Sequence, residues 1–202
     1  MPRNGVARQH QRALPHSEVG AALAKIRRSK DWPAAKLALE LLVLTACRSG
    51  EVRGARWEEF DLERRVWTIP AERTKTGREH RVPLSGRALE VLYEARAVGG
   101  GGALVFPSKT GRPLRDAPLS RLCRENDIGC VPHGFRSSFR DWCSETGVAR
   151  EVAEAALAHN LGDATERAYA RSSMFERRRE VMEAWAQYVT VEGNWAGEAC
   201  LV

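Results

Sequence analysis

Residues 132–142 read PHGFRSSFRDW, and the helix they open decides how the rest of the chain is read. His133 and Arg136 stand three apart at the start of a helix expected over about 134–146. That spacing puts both side chains on one helical face. The unpaired backbone N–H groups of a first turn favour an anion beside them. Downstream, LAHNLGDATERAYAR (157–171) places His159 at the end of an apolar helical stretch, 150–158, and Tyr169 ten residues later. Upstream, TACRSGEV (45–52) sets Arg48 just after an apolar run.

Between these stretches the texture changes. VWTIP (66–70) and HRVPL (80–84) are β-rich and flank TKTGRE, with Gly77 marking a turn. This predicts a β-hairpin whose basic tip carries Lys75. The other segments read as helices. Ser17 is placed to cap one whose apolar residues Val19, Leu23 and Ile26 share a face. Pro33 suits the first turn of a second, over Ala34–Ala46, which is apolar nearly all round and therefore central. A short helix is expected from Gly50 to Glu59, and Ser85 caps another over about 87–97. A short strand, Ala103–Phe106, follows the glycine run 99–102, and further helices are expected over 119–126 and 175–189. The expected fold class is mainly α with a small antiparallel β-sheet. Residues 1–14 form a lead-in, 15–190 one domain and 191–202 a tail.

Composition narrows the function. Of 202 residues, 43% are hydrophobic and 29% charged, an ordinary globular balance. No run approaches the ~18 apolar residues of a membrane helix. The basic opening MPRNGVARQHQR lacks the apolar core of a secretory signal, so a cytoplasmic protein without membrane partners is expected. A net charge of +6 permits a polyanionic partner. Lysine occurs only at 25, 30, 36, 75 and 109, which makes one at a hairpin tip informative. Five cysteines without a C-x-x-C pair argue against a disulfide framework and a zinc site, Cys123, Cys130 and His133 included, and favour buried thiols. The glycine run lacks the G-x-x-x-x-G-K-[ST] pattern of a nucleotide phosphate loop.

Taken singly, each candidate has a plain structural reading. Arg48 can end a helix and pair with Glu51; His133 can cap a helix; His159 can be a core histidine; Tyr169 can be a packing aromatic. Their order points elsewhere. T-x-x-R-x-x-E at Thr45–Glu51, a lysine on a hairpin, H-x-x-R at His133–Arg136, His159, Tyr169 and the ending YARSSMFERRREVMEAWAQY (169–188) together resemble the tyrosine recombinases of the phage integrase type. The resemblance runs from about Leu14 to Val189. Lys109 is a rival for Lys75 but lacks a following strand like HRVPL.

The resemblance implies the DNA breaking-rejoining fold and a transesterification on double-stranded DNA. Arg48 and Arg136 would clamp the non-bridging phosphate oxygens, with Glu51 supporting an arginine. His133 would contact the phosphate or help take the tyrosine proton, and His159 would bind and orient the phosphate. Lys75 would protonate the departing 5′ oxygen, and Tyr169 would be the nucleophile. Neither a metal nor ATP is then required, because the phosphotyrosyl bond retains the energy for rejoining. A type IB topoisomerase shares this chemistry, and a DNA-binding remnant unable to recombine is the alternative. A helical regulator without catalysis is supported by basic charge alone.

Three departures accompany the likeness. Alanine stands at 46 and at 158 where the family favours glycine. Full-length relatives carry DNA-binding domains before the catalytic one and act as a tetrameric synapse; here about fifteen residues precede the pattern. DNA binding by this chain alone is therefore expected to be weak and strongly salt-sensitive. The apolar stripe at 175, 181, 182, 185, 188 and 189 is expected to pack within its own chain, exchange with a neighbouring subunit being the other possibility.

Overall fold

A computed structural model describes residues 13–159 and 171–190. Its centre is α2 (Pro33–Thr45), buried at almost every position from Ala34 to Thr45. Pro33 opens it, where the missing N–H costs nothing. Helices α1 (Val19–Arg28), α4 (Gly86–Val98), α5 (Asp116–Glu125), α6 (Gly134–Glu145) and α8 (Arg171–Thr190) all contact it. A helix packed on every side leaves its one carboxylate, Glu40, in the interior. Arg27 Nε at 3.0 Å and Arg87 Nε at 2.7 Å satisfy it from α1 and α4.

The amphipathic helices dock as their spacing dictates. α1 buries Val19, Ala22, Leu23 and Ile26 and ends on Lys25, Arg27 and Arg28, whose charges suit the helix C-terminus. α8 lays Phe175, Met182, Trp185, Ala186 and Val189 onto its own chain, so the C-terminal stripe packs in cis. Trp185 anchors α8 to the core through Nε1 donating to the Val43 carbonyl at 2.8 Å. Phe139, Trp142, Trp185 and Tyr188 form one aromatic group where α6 meets α8.

The hairpin is present, with a third strand the alternation did not reveal. β1 (Phe60–Asp61), β2 (Val66–Ile69) and β3 (His80–Pro83) form an antiparallel sheet in that order. Trp67 pairs with Phe60 on one side and Val82 on the other, and the Phe60 ring stacks on Trp67 at 5.1 Å. Ser85 caps α4 by accepting from the Ala88 N–H, as its position suggested.

Some local expectations need correction. Ser17 lies inside a 3-10 turn, His16–Glu18, and caps nothing; Glu18 occupies the N-cap of α1. The helix expected from Gly50 to Glu59 is two pieces, α3 (Ser49–Arg53) and a 3-10 turn, Trp57–Glu59. The break falls at Gly54, where a Cβ would meet Arg73 Nη1 at 2.5 Å. Residues 103–106 make one isolated bridge, Arg56 to Leu104, because Pro107 and the turn at 57–59 stop both partners. Tyr93 is exposed, and Cys47, Cys123, Cys130 and Cys143 are buried free thiols. No helix among the described residues is long and apolar enough to cross a membrane.

Candidate active site

α7 (Arg150–Ala156) ends in a Schellman turn. Ala158 N–H donates to Ala155 at 3.2 Å and His159 N–H to Glu154 at 3.0 Å, while Ala158 takes the left-handed conformation at φ +49°. Helix ends leave carbonyls without intrahelical donors and carry partial negative charge. Here three carbonyls draw in arginines. Arg178 Nη1 donates to Ala155 at 3.3 Å, Arg136 Nη2 to Leu157 at 2.7 Å, and Arg48 Nη2 to Ala158 at 3.4 Å, with the buried His80 ring beside Ala156. Residues from α8, β3, α6 and the start of α3 thereby converge on one turn.

Two of the four were anticipated from sequence. Arg136 lies in the first turn of α6, is buried, and also donates through Nη1 to the Ala46 carbonyl. Ala46 ends α2 in the left-handed conformation, φ +50°, which turns its carbonyl toward that guanidinium. No carboxylate among the described residues pairs with Arg136; two carbonyls hold it, with His159 beside its Nη2. Arg48 is the N-cap of α3, and Glu51 accepts both its backbone N–H at 2.8 Å and its Nη1 at 3.0 Å. Glu51 is itself buried, which fixes the Arg48 guanidinium against α7. Arg73 continues the scaffold by bridging the Glu51 carbonyl at 3.1 Å and Glu59 at 2.8 Å.

His159 follows the Schellman turn at the edge of this group. Its Nδ1 lies 2.6 Å from Glu154 Oε2 and its Nε2 3.4 Å from Arg136 Nη2. His133 occupies the N-cap of α6, makes no capping bond, and faces solvent. Partial burial, then the charges of Arg136, Arg48, Lys75 and His159, lower its pKa. Lys75 is exposed in the β2–β3 connection, where Gly77 turns at φ +64° and Thr74 Oγ1 ties across to the Arg78 carbonyl at 2.8 Å. Arg48, Arg136, His133, His159 and Lys75 are thus one electrostatic neighbourhood. Tyr169 lies outside the described residues.

Sequence reasoning passed over three participants. His80 alternates with Val82 and Leu84 along HRVPL, so strand period alone would have put it inside. Burial first, then Arg178, Arg136 and Arg48, push its pKa down to about 3, leaving a neutral ring beside Ala156. Arg178 hides in an arginine triplet but shares the stripe of Phe175, Met182 and Trp185. Burial lowers it to about 10, and its Nη2 also holds the Arg81 carbonyl at 2.8 Å. Glu154, a single carboxylate among alanines, contacts both His159 and Arg140. Cys47 sits beside these groups as an inert thiol, pushed up to about 12 by burial and by Glu51.

The same chain trace recurs in solved structures. The integrase from mycobacterium phage Brujita matches with a TM-score of 0.65 at 17% identity, over 90% of this chain and 65% of that one. A lambda integrase(75-356) dimer bound to a COC' core site gives 0.59 at 23% identity, over 74% and 58% respectively. At such identities the likeness defines a class by fold, that of integrase and tyrosine recombinase catalytic domains. Sequence comparison then fixes the lineage. The phage integrase family model matches residues 12–176. Prophage integrase IntA of Escherichia coli (strain K12) is 38% identical over 151 residues, 73% of this chain and 37% of that protein. The integrase of Enterobacteria phage P4 is 29% identical over 213 residues, 92% and 47% respectively. The chain belongs to the phage integrase family. It spans half or less of the length of these two relatives.

Proposed function

We propose that this chain is the catalytic part of a tyrosine-type site-specific recombinase, which integrates or excises a mobile element in double-stranded DNA in the cytoplasm. The observation that carries the reading is the convergence of Arg48, Arg136 and His159 on the end of α7, with Arg136 free of any carboxylate among the described residues. A phosphodiester placed there meets two planar, bidentate cations held by a rigid backbone turn.

In the proposed reaction Tyr169 Oη attacks the phosphorus and the bond to the 5′ oxygen breaks. A 3′-phosphotyrosyl ester forms while Lys75 gives the departing oxygen its proton and His133 helps take the proton of Tyr169. Arg48 and Arg136 stabilise the charge that builds on the non-bridging oxygens, a role worth about 10²–10³ in rate per donor group. The low pKa of His133 suits a base that is neutral near pH 7. Reversal of the step by a second 5′ hydroxyl rejoins the strands, with neither metal nor ATP. Two strand exchanges require several copies on DNA, so self-association into a tetrameric synapse belongs to the same reading.

The test is a nicked suicide duplex incubated with wild type and Tyr169→Phe. A covalent protein–DNA adduct in wild type alone supports the assignment. A mobility shift without adduct in wild type would sink catalysis and leave a DNA-binding remnant.

A further inference from the structure

The site contains a charged contact that none of the assigned roles uses. Glu154 is largely buried on α7, and its two oxygens divide between two partners. Oε2 lies 2.6 Å from His159 Nδ1, and Oε1 lies 2.9 Å from Arg140 Nη2. Arginine has donors only, so Arg136 Nη2 at 3.4 Å leaves Nε2 of His159 to act as acceptor. A carboxylate also only accepts. The ring is therefore pinned with its proton on Nδ1 and its lone pair on Nε2, aimed at the arginine pair.

We propose that Glu154 is a positioning residue: it fixes the tautomer and orientation of His159 and stabilises the imidazolium that forms when a phosphate oxygen arrives at Nε2. The proposal rests on the recombinase reading, because that reading brings the phosphate. An anion at Nε2 needs a donor there, so one hydronium proton from the buffered solvent adds to the Nε2 lone pair and the N–H bond forms on Nε2. Glu154 continues to accept from Nδ1 throughout. Arg140 shares the same carboxylate through Nη2. Arg136 Nη2 is the other charged group in contact with the ring, and Arg48 donates to the neighbouring Ala158 carbonyl.

Nitrogen-15 NMR of the full chain, with histidine ring labelling, reads this without DNA. Wild-type His159 should carry its proton on Nδ1 when neutral. In Glu154→Gln the neutral ring should shift toward the Nε2–H tautomer. Arg140→Ala removes a largely exposed side chain and leaves the Glu154 acceptor in place, so it should keep the Nδ1–H tautomer. A wild-type ring protonated on Nε2, or a tautomer that Glu154→Gln leaves unchanged, overturns the proposal. With the suicide duplex, the rate of adduct formation should fall in Glu154→Gln and hold in Arg140→Ala, and equal rates in all three proteins count against it. Failure of adduct formation with the expected ring behaviour would instead sink the recombinase reading alone.

Discussion

Ala158→Gly should stabilise the protein, whereas Ala46→Gly should leave its stability nearly unchanged. Both alanines are left-handed, at φ +49° and +50°. An L-residue there carries about 1–2 kcal/mol of steric cost, which glycine avoids. Against that gain, glycine's freer unfolded chain costs about 0.4–1 kcal/mol. The two sites differ in what the methyl group touches. Ala46 is 1% exposed, so deleting its methyl forfeits roughly 0.8 kcal/mol of burial, while Ala158 is half-buried and forfeits less. The balance is about 0.5–1 kcal/mol in favour of Ala158→Gly and about zero for Ala46→Gly. For a chain of this size the first corresponds to a rise in Tm of about 1–4 °C. Calorimetry or thermal circular dichroism on the two single variants measures both. A drop at Ala158→Gly, or an equal gain at both positions, would show that left-handed strain and methyl burial are not the governing terms.

Two further predictions concern buried charge. His80 protonates near 6.5 unfolded but only near 3 in the fold, so its contribution is complete above pH 6.5 and is lost as the pH falls toward 3. Wild type should therefore lose about 1.5–2 kcal/mol more than His80→Gln between pH 6.5 and 5, measured by urea titration; parallel losses would place the ring in contact with water. Glu40→Gln should cost about 3 kcal/mol of unfolding free energy in the same assay, the low end for a broken buried pair, because Arg27 and Arg87 still reach solvent. A loss under about 1 kcal/mol would mean that the paired charges hardly matter.

The fold was legible where period and punctuation agree. α2 could be read from an apolar run opened by Pro33, and the hairpin from VWTIP and HRVPL around Gly77. Short-range signals failed where tertiary contacts decide. β1 is two residues long, too short for alternation to register, and exists because Phe60 stacks on Trp67. The close approach of Arg73 to Gly54 joins positions nineteen apart in the chain and is invisible to any local window. Ser17 had the right chemistry for a cap, but its chain enters α1 through a 3-10 turn. In the site, spacing announced the Arg48–Glu51 pair, while the meeting of Arg48, Arg136 and His159 was implied by the family resemblance alone. His80, Arg178 and Glu154 were missed because each looks local: a strand residue, one arginine of three, an acid on a short helix. Their role is set by where the end of α7 falls, which no periodicity encodes.

Helix ends are ordinarily the first parts of a protein to fray. The last turn of α7 is tied down from outside, since unwinding it would strand the buried donors of Arg178 and Arg136 and release Arg48. Three elements remote in sequence thus share one turn, and its opening is coupled to theirs.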